Sequence, residues 1–131
     1  MQVRKEYERA GVIQVLLVDD HVIVRQGLRA ILETYSDVHV VAEAGDGRQA
    51  IEAVRTFRPH IVVMDINMPV MDGIEATACI KQEYPDTIIV ALSFHPTKEF
   101  REAIIKAGAV GLLTKEAAVE QLYDSIVMAV S

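Results

Sequence analysis

Five short apolar blocks punctuate this chain, at residues 12–18, 38–44, 61–64, 87–93 and 110–114, and most are cut off by a polar or charged residue. A continuous apolar run bounded by turn signals predicts a strand buried on both faces, as in a parallel sheet. Between the blocks the apolar residues recur three or four apart. Val24, Leu28, Ile31, Leu32 and Tyr35 form the first such set, followed by Ala50, Ile51, Val54 and Phe57, then Ile74, Thr77, Ile80 and Tyr84. Phe100, Ala103, Ile104 and Ala107 form the fourth, and Val119, Leu122, Ile126 and Val130 the fifth. Each set predicts a helix with that face turned inward. Asp46 with Gln49 and Asp72 with Glu75 have capping-box spacing, and Thr97 opens the fourth helix. Pro59 and Pro85 interrupt the chain between elements, and Gly108 ends the fourth helix. Gly27, inside the first helix, costs about 1 kcal/mol against alanine and points to close packing there.

The blocks begin at residues 12, 38, 61, 87 and 110, so successive strands start 26, 23, 26 and 23 residues apart. That is the rhythm of repeated βαβ units, whose right-handed crossovers place helices on both faces of a parallel sheet. The expected fold is a doubly wound α/β domain with five strands in the flavodoxin-like order 2-1-3-4-5 and five helices. Residues 1–11 have no strong periodicity and read as an N-terminal extension without an assigned role, leaving 12–131 as the domain.

Composition narrows the picture. At 131 residues the chain is one domain, and 51% hydrophobic residues exclude disorder. No apolar stretch is long enough to span a membrane, and no signal-peptide pattern opens the chain. The single cysteine, Cys79, cannot form an internal disulfide; its helical position reads as packing, and the cytoplasm is the expected compartment. A net charge of −6 with dispersed basic residues makes this segment a poor nucleic-acid binder and leaves room for a cation.

The candidate chemistry lies where strands end. The first ends in Asp19-Asp20, the third in Asp65, the fourth in Ser93 and the fifth at Lys115. All fall on the carboxyl edge of the sheet, where such folds place their ligand crevice at the β1/β3 switch point. Three carboxylates gathered there repel one another unless a cation intervenes, and an oxygen-only donor set suits Mg²⁺. Lys115 is suited to a phosphoryl oxygen and the Ser93 hydroxyl to another. The pattern is that of a site for attaching a phosphoryl group to a carboxylate. Asp20 doubles as a candidate cap for the first helix, and His21 and His95, without partners at ligand spacing, read as loop residues.

Together with Met68-Pro69-Val70-Met71-Asp72-Gly73, this constellation resembles the receiver domain of two-component response regulators, and the resemblance covers essentially all of residues 13–130. The run Asp19-Asp20-His21-Val22-Ile23-Val24-Arg25-Gln26-Gly27-Leu28 further resembles the NarL/FixJ (LuxR-type) subgroup. The resemblance implies Asp65 as phosphoacceptor, Ser93 as switch hydroxyl and Lys115 as phosphate-binding lysine. It also implies Asp19, Asp20, Asp65 and the backbone carbonyl of Asn67 as Mg²⁺ ligands. A histidine kinase is the implied partner, with homodimerisation through the fourth helix, fifth strand and fifth helix or through the first and fifth helices. DNA would be reached only through an output domain absent from this chain. Two positions depart from the family pattern. Leu112 stands three residues before the lysine, where an aromatic is usual, and Glu116 follows the lysine, where other subgroups often have proline. Two competing readings are weaker. Phosphohydrolases of the haloacid dehalogenase type need a second aspartate two residues after the nucleophile, where this chain has Asn67, an amide unable to act as general acid or base. A module signalling without phosphorylation would have no use for the acidic cluster.

Overall fold

A computed structural model describes residues 11–131, so the extension expected over residues 1–11 lies outside the described residues except for Gly11. Five strands, β1 (Ile13–Val18), β2 (Val38–Ala44), β3 (Ile61–Asp65), β4 (Ile88–Ser93) and β5 (Gly111–Thr114), alternate with five helices. These are α1 (Val22–Leu32), α2 (Gly47–Phe57), α3 (Gly73–Glu83), α4 (Lys98–Ala107) and α5 (Lys115–Val130). The sheet is parallel, in the order β2-β1-β3-β4-β5. This is the doubly wound arrangement that the strand rhythm predicts.

Successive strand residues face opposite sides, and each side has its own core. Val15, Leu17, Val63, Val90 and Leu92 pack against Leu28 and Leu32 of α1 and Leu122 and Ile126 of α5. Leu16, Val18, Val62, Met64 and Ala91 pack against Ala50 and Val54 of α2, Ala76 and Ile80 of α3, and Ile104 of α4. The inner three strands are buried on both faces, which is why they read as unbroken apolar runs rather than alternating ones.

Helix starts follow the expected chemistry. Asp46 Oδ1 accepts from the Gln49 amide at 2.8 Å, Asp72 Oδ1 from Glu75 at 2.9 Å, and Thr97 Oγ1 from Phe100 at 3.1 Å. The Gln49 side chain reaches one residue further back than a capping box requires and accepts from Gly45 N–H at 2.9 Å.

Four residues expected inward are exposed instead: Tyr35, Phe57, Phe100 and Val119. Tyr35 lies beyond the end of α1 and stacks on Tyr123 at 3.6 Å between ring centroids. Phe57 is the last residue of α2 and Phe100 lies in the first turn of α4, where the helix ends overrun their cores. Val119 sits one step off the buried stripe Ala118-Leu122-Ile126-Val130 of α5. Cys79, expected to pack, is also exposed, on the outer side of the Ala76-Thr77-Ile80 stripe of α3.

The close packing expected at Gly27 is absent: a Cβ placed there meets nothing within 4 Å. The most crowded glycine among the described residues is Gly73, where a Cβ would lie 2.0 Å from the Asp65 carbonyl oxygen. The first turn of α3 therefore packs directly on the end of β3. Gly73→Ala is expected to cost roughly 2–4 kcal/mol in urea denaturation through overpacking, while Gly27→Ala gains up to about 1 kcal/mol from helix propensity. A reversed order of the two would refute this packing account.

Candidate functional site

Register brings the strand ends together. Val18 pairs with Met64, so Asp19 and Asp65 continue adjacent strands side by side. Asp65 pairs with Leu92 and Ser93 with Thr114, which sets Ser93 on the neighbouring strand and Lys115 at the first position of α5. Asp19, Asp65, Ser93 and Lys115 are all buried, while Asp20 is partly open to solvent.

Lys115 Nζ lies 2.8 Å from Asp19 Oδ2 and 3.1 Å from Asp65 Oδ2. Both carboxylates are ion-paired with this same ammonium, while Ser93 Oγ is buried with no hydrogen-bond partner. One ammonium thus faces two buried carboxylates with Asp20 at their edge. Burial, then the charge of Asp19, pushes the Asp65 carboxyl up to about 7, against the pull of Lys115 and the Asn67 N–H. That amide donates to Asp65 Oδ1 at 3.2 Å. Three carboxylates against one ammonium leave surplus negative charge on oxygen donors, which suits a hard divalent cation, and Asp19, Asp20 and Asp65 could hold one.

Two neighbours escaped the sequence reading. His21, read there as a loop residue, joins the cluster: its Nδ1 lies 3.0 Å from Asp19 Oδ1, 3.2 Å from Asp20 Oδ1 and 3.2 Å from Lys115 Nζ. Phe94 covers Lys115, with Nζ 4.5 Å from the ring centroid, and meets the His21 ring edge-on at 5.5 Å. Their adjacency to Asp20 and Ser93 in the chain was the available signal. His21 rather than Asp20 is the N-cap residue of α1, and Asp19 Oδ1 accepts from its backbone N–H at 2.8 Å.

The loop carrying Asp19 is braced from behind. Arg25 Nη1 donates to the Asp19 carbonyl at 2.5 Å, while its Nε donates to Glu43 Oε1 at 2.8 Å. Burial pushes the Glu43 carboxyl up, but hydrogen bonds from Arg29 and Arg25 outweigh it and hold the group below the usual carboxylate range. After β3 the chain turns sharply: Met71 N–H reaches the Pro69 carbonyl at 2.7 Å, with Val70 at φ 68° between them. A β-branched residue at positive φ is strained.

Fold and site define an α/β module whose polar groups converge on the carboxyl edge of the sheet, at the switch between β1 and β3. The chain matches the family described as the response regulator receiver domain over residues 15–127, and it belongs to that family. It is 40% identical over 114 residues to the response regulator UvrY of Escherichia coli (strain K12), covering 87% of this chain and 52% of that one. It is 38% identical over 114 residues to the transcriptional regulatory protein DegU of Brevibacillus brevis, covering 87% and 48%. Among solved structures, a LuxR-family two-component response regulator from Aurantimonas sp. SI85-9A1 superposes with a TM-score of 0.86 at 37% identity, covering 91% of this chain and 85% of that one. The chain spans about half the length of the curated relatives it matches. Among the described residues, no helix is long and apolar enough to cross a membrane.

The raised Asp65 carboxyl has a consequence for the metal-free chain. The unfolded state ionises near pH 4, while folded Asp65 keeps its proton until about 7. The stability carried by the protonated group is therefore full below pH 4 and lost as pH rises through 7. Asp65→Asn removes this titration. The variant is expected to gain roughly 2–4 kcal/mol relative to wild type between pH 4 and pH 8 in chelator-treated denaturation series. A difference independent of pH would show that Asp65 ionises freely.

Proposed function

We propose that this chain is a phosphorylation-dependent switch in which Asp65 accepts a phosphoryl group from a histidine kinase in a Mg²⁺-dependent reaction. The observation that carries this reading is Asp65 at the end of the central strand, buried beside Asp19 with Lys115 Nζ 3.1 Å from its Oδ2. An Asp65 carboxylate oxygen forms the new bond to phosphorus as the phosphorus–nitrogen bond of the kinase phosphohistidine breaks. The imidazole leaves with the electron pair and takes a proton from water. Lys115 holds a phosphoryl oxygen, for which the charge of Nζ is already in place. Ser93, with a buried hydroxyl that has no partner, donates to another. Asp19, Asp20, Asp65 and the Asn67 carbonyl would hold Mg²⁺, which supplies positive charge opposite the phosphoryl oxygens. Phe94 and burial of Asp65 limit water at the acyl phosphate.

On this reading the chain takes part in its own phosphorylation and dephosphorylation and is not a turnover enzyme. Asn67 at the second position after Asp65 supports that, since an amide neither gives nor takes the proton a phosphohydrolase needs. Transcription is the output we propose, because relatives covering most of this chain are named transcriptional regulators. The cytoplasm is the compartment that fits such a partner and output.

Incubation with acetyl phosphate and Mg²⁺ is expected to add one hydroxylamine-labile phosphate, seen by intact-protein mass spectrometry, to wild type and none to Asp65→Asn. Labelling of the variant at the wild-type rate, or of wild type in chelator, would exclude the assignment.

Signal transmission is expected to run through Ser93. Its hydroxyl needs only the phosphoryl oxygens as acceptors, whereas Leu112, half-buried against the α2–α4 core, has no polar ring edge with which to report a change of position. Burying Leu112 more fully is worth only about 1–2 kcal/mol. Beryllofluoride is therefore expected to alter hydrogen exchange across residues 93–106, the loop and α4, with little change at Leu112. Protection confined to the end of β3 would defeat this route.

A further inference from the structure

Arg25 faces away from the acidic cluster, yet it holds the backbone between two of the cluster's members. Its side chain, only 18% exposed, runs from α1 to the end of β2, where Nε donates to Glu43 Oε1 at 2.8 Å. Nη1 of the same guanidinium donates to the Asp19 carbonyl at 2.5 Å. On the other side of that residue, the Asp19 N–H donates to the Ala44 carbonyl at 3.0 Å. Asp19 is therefore pinned at both of its peptide groups. A peptide unit is planar, so fixing the Asp19 carbonyl also fixes the plane through which the chain passes to Asp20. That plane sets the angle between the Asp19 and Asp20 side chains. Asp20 depends on it most, because its side chain is 31% exposed and stands at the open edge of the cluster.

The anchor behind Arg25 is shared. Glu43 lies opposite Leu17 on the paired strand and accepts from two arginines one helical turn apart on α1, Arg25 at Oε1 and Arg29 at Oε2. Arg29 places its Nε on Glu33 Oε1 at 2.7 Å rather than on the Asp19 loop. Two guanidinium groups are thus matched by two carboxylates, and what distinguishes Arg25 is the second arm of its planar fork. Charge and geometry then make opposite demands. Removing a positive group near an acidic cluster raises the affinity of that cluster for another cation. Removing a brace that sets the angle between two ligands lowers it.

We propose that Arg25 is a positioning residue: anchored by Glu43, it orients the Asp19–Asp20 peptide so that both carboxylates meet one divalent cation. The proposal rests on the reading of Asp19 and Asp20 as cation ligands. Arg25 itself touches neither the ion nor the phosphoryl group, so its loss weakens assembly of the site and spares the chemistry once the site is filled. Arg29 supplies the contrast, since it shares Glu43 without reaching Asp19.

Isothermal titration with MgCl₂ compares the wild-type chain with Arg25→Met and Arg29→Met, each of which takes one arginine from Glu43 and removes one positive charge. Arg25→Met is expected to bind Mg²⁺ about tenfold more weakly. Its labelling by acetyl phosphate at saturating Mg²⁺ is expected to stay within about threefold of wild type. Arg29→Met is expected to keep Mg²⁺ affinity within about twofold of wild type, although both variants unfold at a lower temperature in chelator. Arg25→Lys keeps the charge and loses the fork, so it is expected to weaken binding in the same direction. It carries the test if Arg25→Met does not fold. Unchanged or tighter Mg²⁺ binding by the folded Arg25 variant would overturn the proposal. Equal losses in the Arg25 and Arg29 variants would overturn it too, by showing a general loosening of α1 against β2. Wild-type chain that binds no Mg²⁺ at millimolar concentration would overturn the cation site itself and this proposal with it.

Discussion

Two carboxylates, Asp19 and Asp65, are held almost entirely out of water with a single ammonium between them, and this imbalance of charge governs the site. Like charges at such range resist joint ionisation, and burial adds to the cost. The fold does not relax the strain by letting solvent in. It concentrates positive and hydrogen-bonding groups around the cluster instead: the Lys115 ammonium, the Asn67 and His21 amides on the carboxylates, and Arg25 on the Asp19 backbone. What is left over is negative, and a cation or a phosphoryl group with its counterion has a reason to bind there.

The parallel sheet makes this concentration possible. Every strand points the same way, so polar residues placed after each apolar run collect on one edge, and the crossover helices start there as well. Packing then fixes positions tightly. Gly73 lets α3 sit against the carbonyl of Asp65, and Gly47 N–H reaches the Met71 carbonyl at 2.9 Å, so the loop after β3 is clamped at both ends. The positive φ of Val70 is maintained within this clamp.

Much of this architecture can be read from the order of residues because a strand buried on both faces has no polar positions to obscure it. The convergence of Asp19, Asp65, Ser93 and Lys115 could be anticipated for the same reason: the first three follow directly on an apolar run, and Lys115 comes one residue later, after Thr114 closes the run Leu112-Leu113. His21 was less accessible. It is the extended N-cap residue of α1, and only the local path of the chain decides that the ring folds back over Asp19 rather than out to water. Helical periodicity gives the direction of a buried face but not where a helix overruns its sheet, which is why Phe57 and Phe100 emerge exposed. Gly27 shows the limit from another side: a glycine in a helix marks tight packing only when something lies opposite, and here nothing does.

The stacked rings of Tyr35 and Tyr123 have an optical consequence. The chain contains no tryptophan and four tyrosines, so its ultraviolet emission comes from phenol rings. Tyr123 lies on α5, directs its hydroxyl to both carboxylate oxygens of Asp37 at 3.0 and 2.8 Å, and stacks on the ring just beyond α1. A phenol that can pass its excited-state proton to a carboxylate emits weakly. Parting α1 from α5 would remove both the ring stack and the Asp37 acceptor, so the native tyrosine emission offers a label-free report of helix separation in the intact protein.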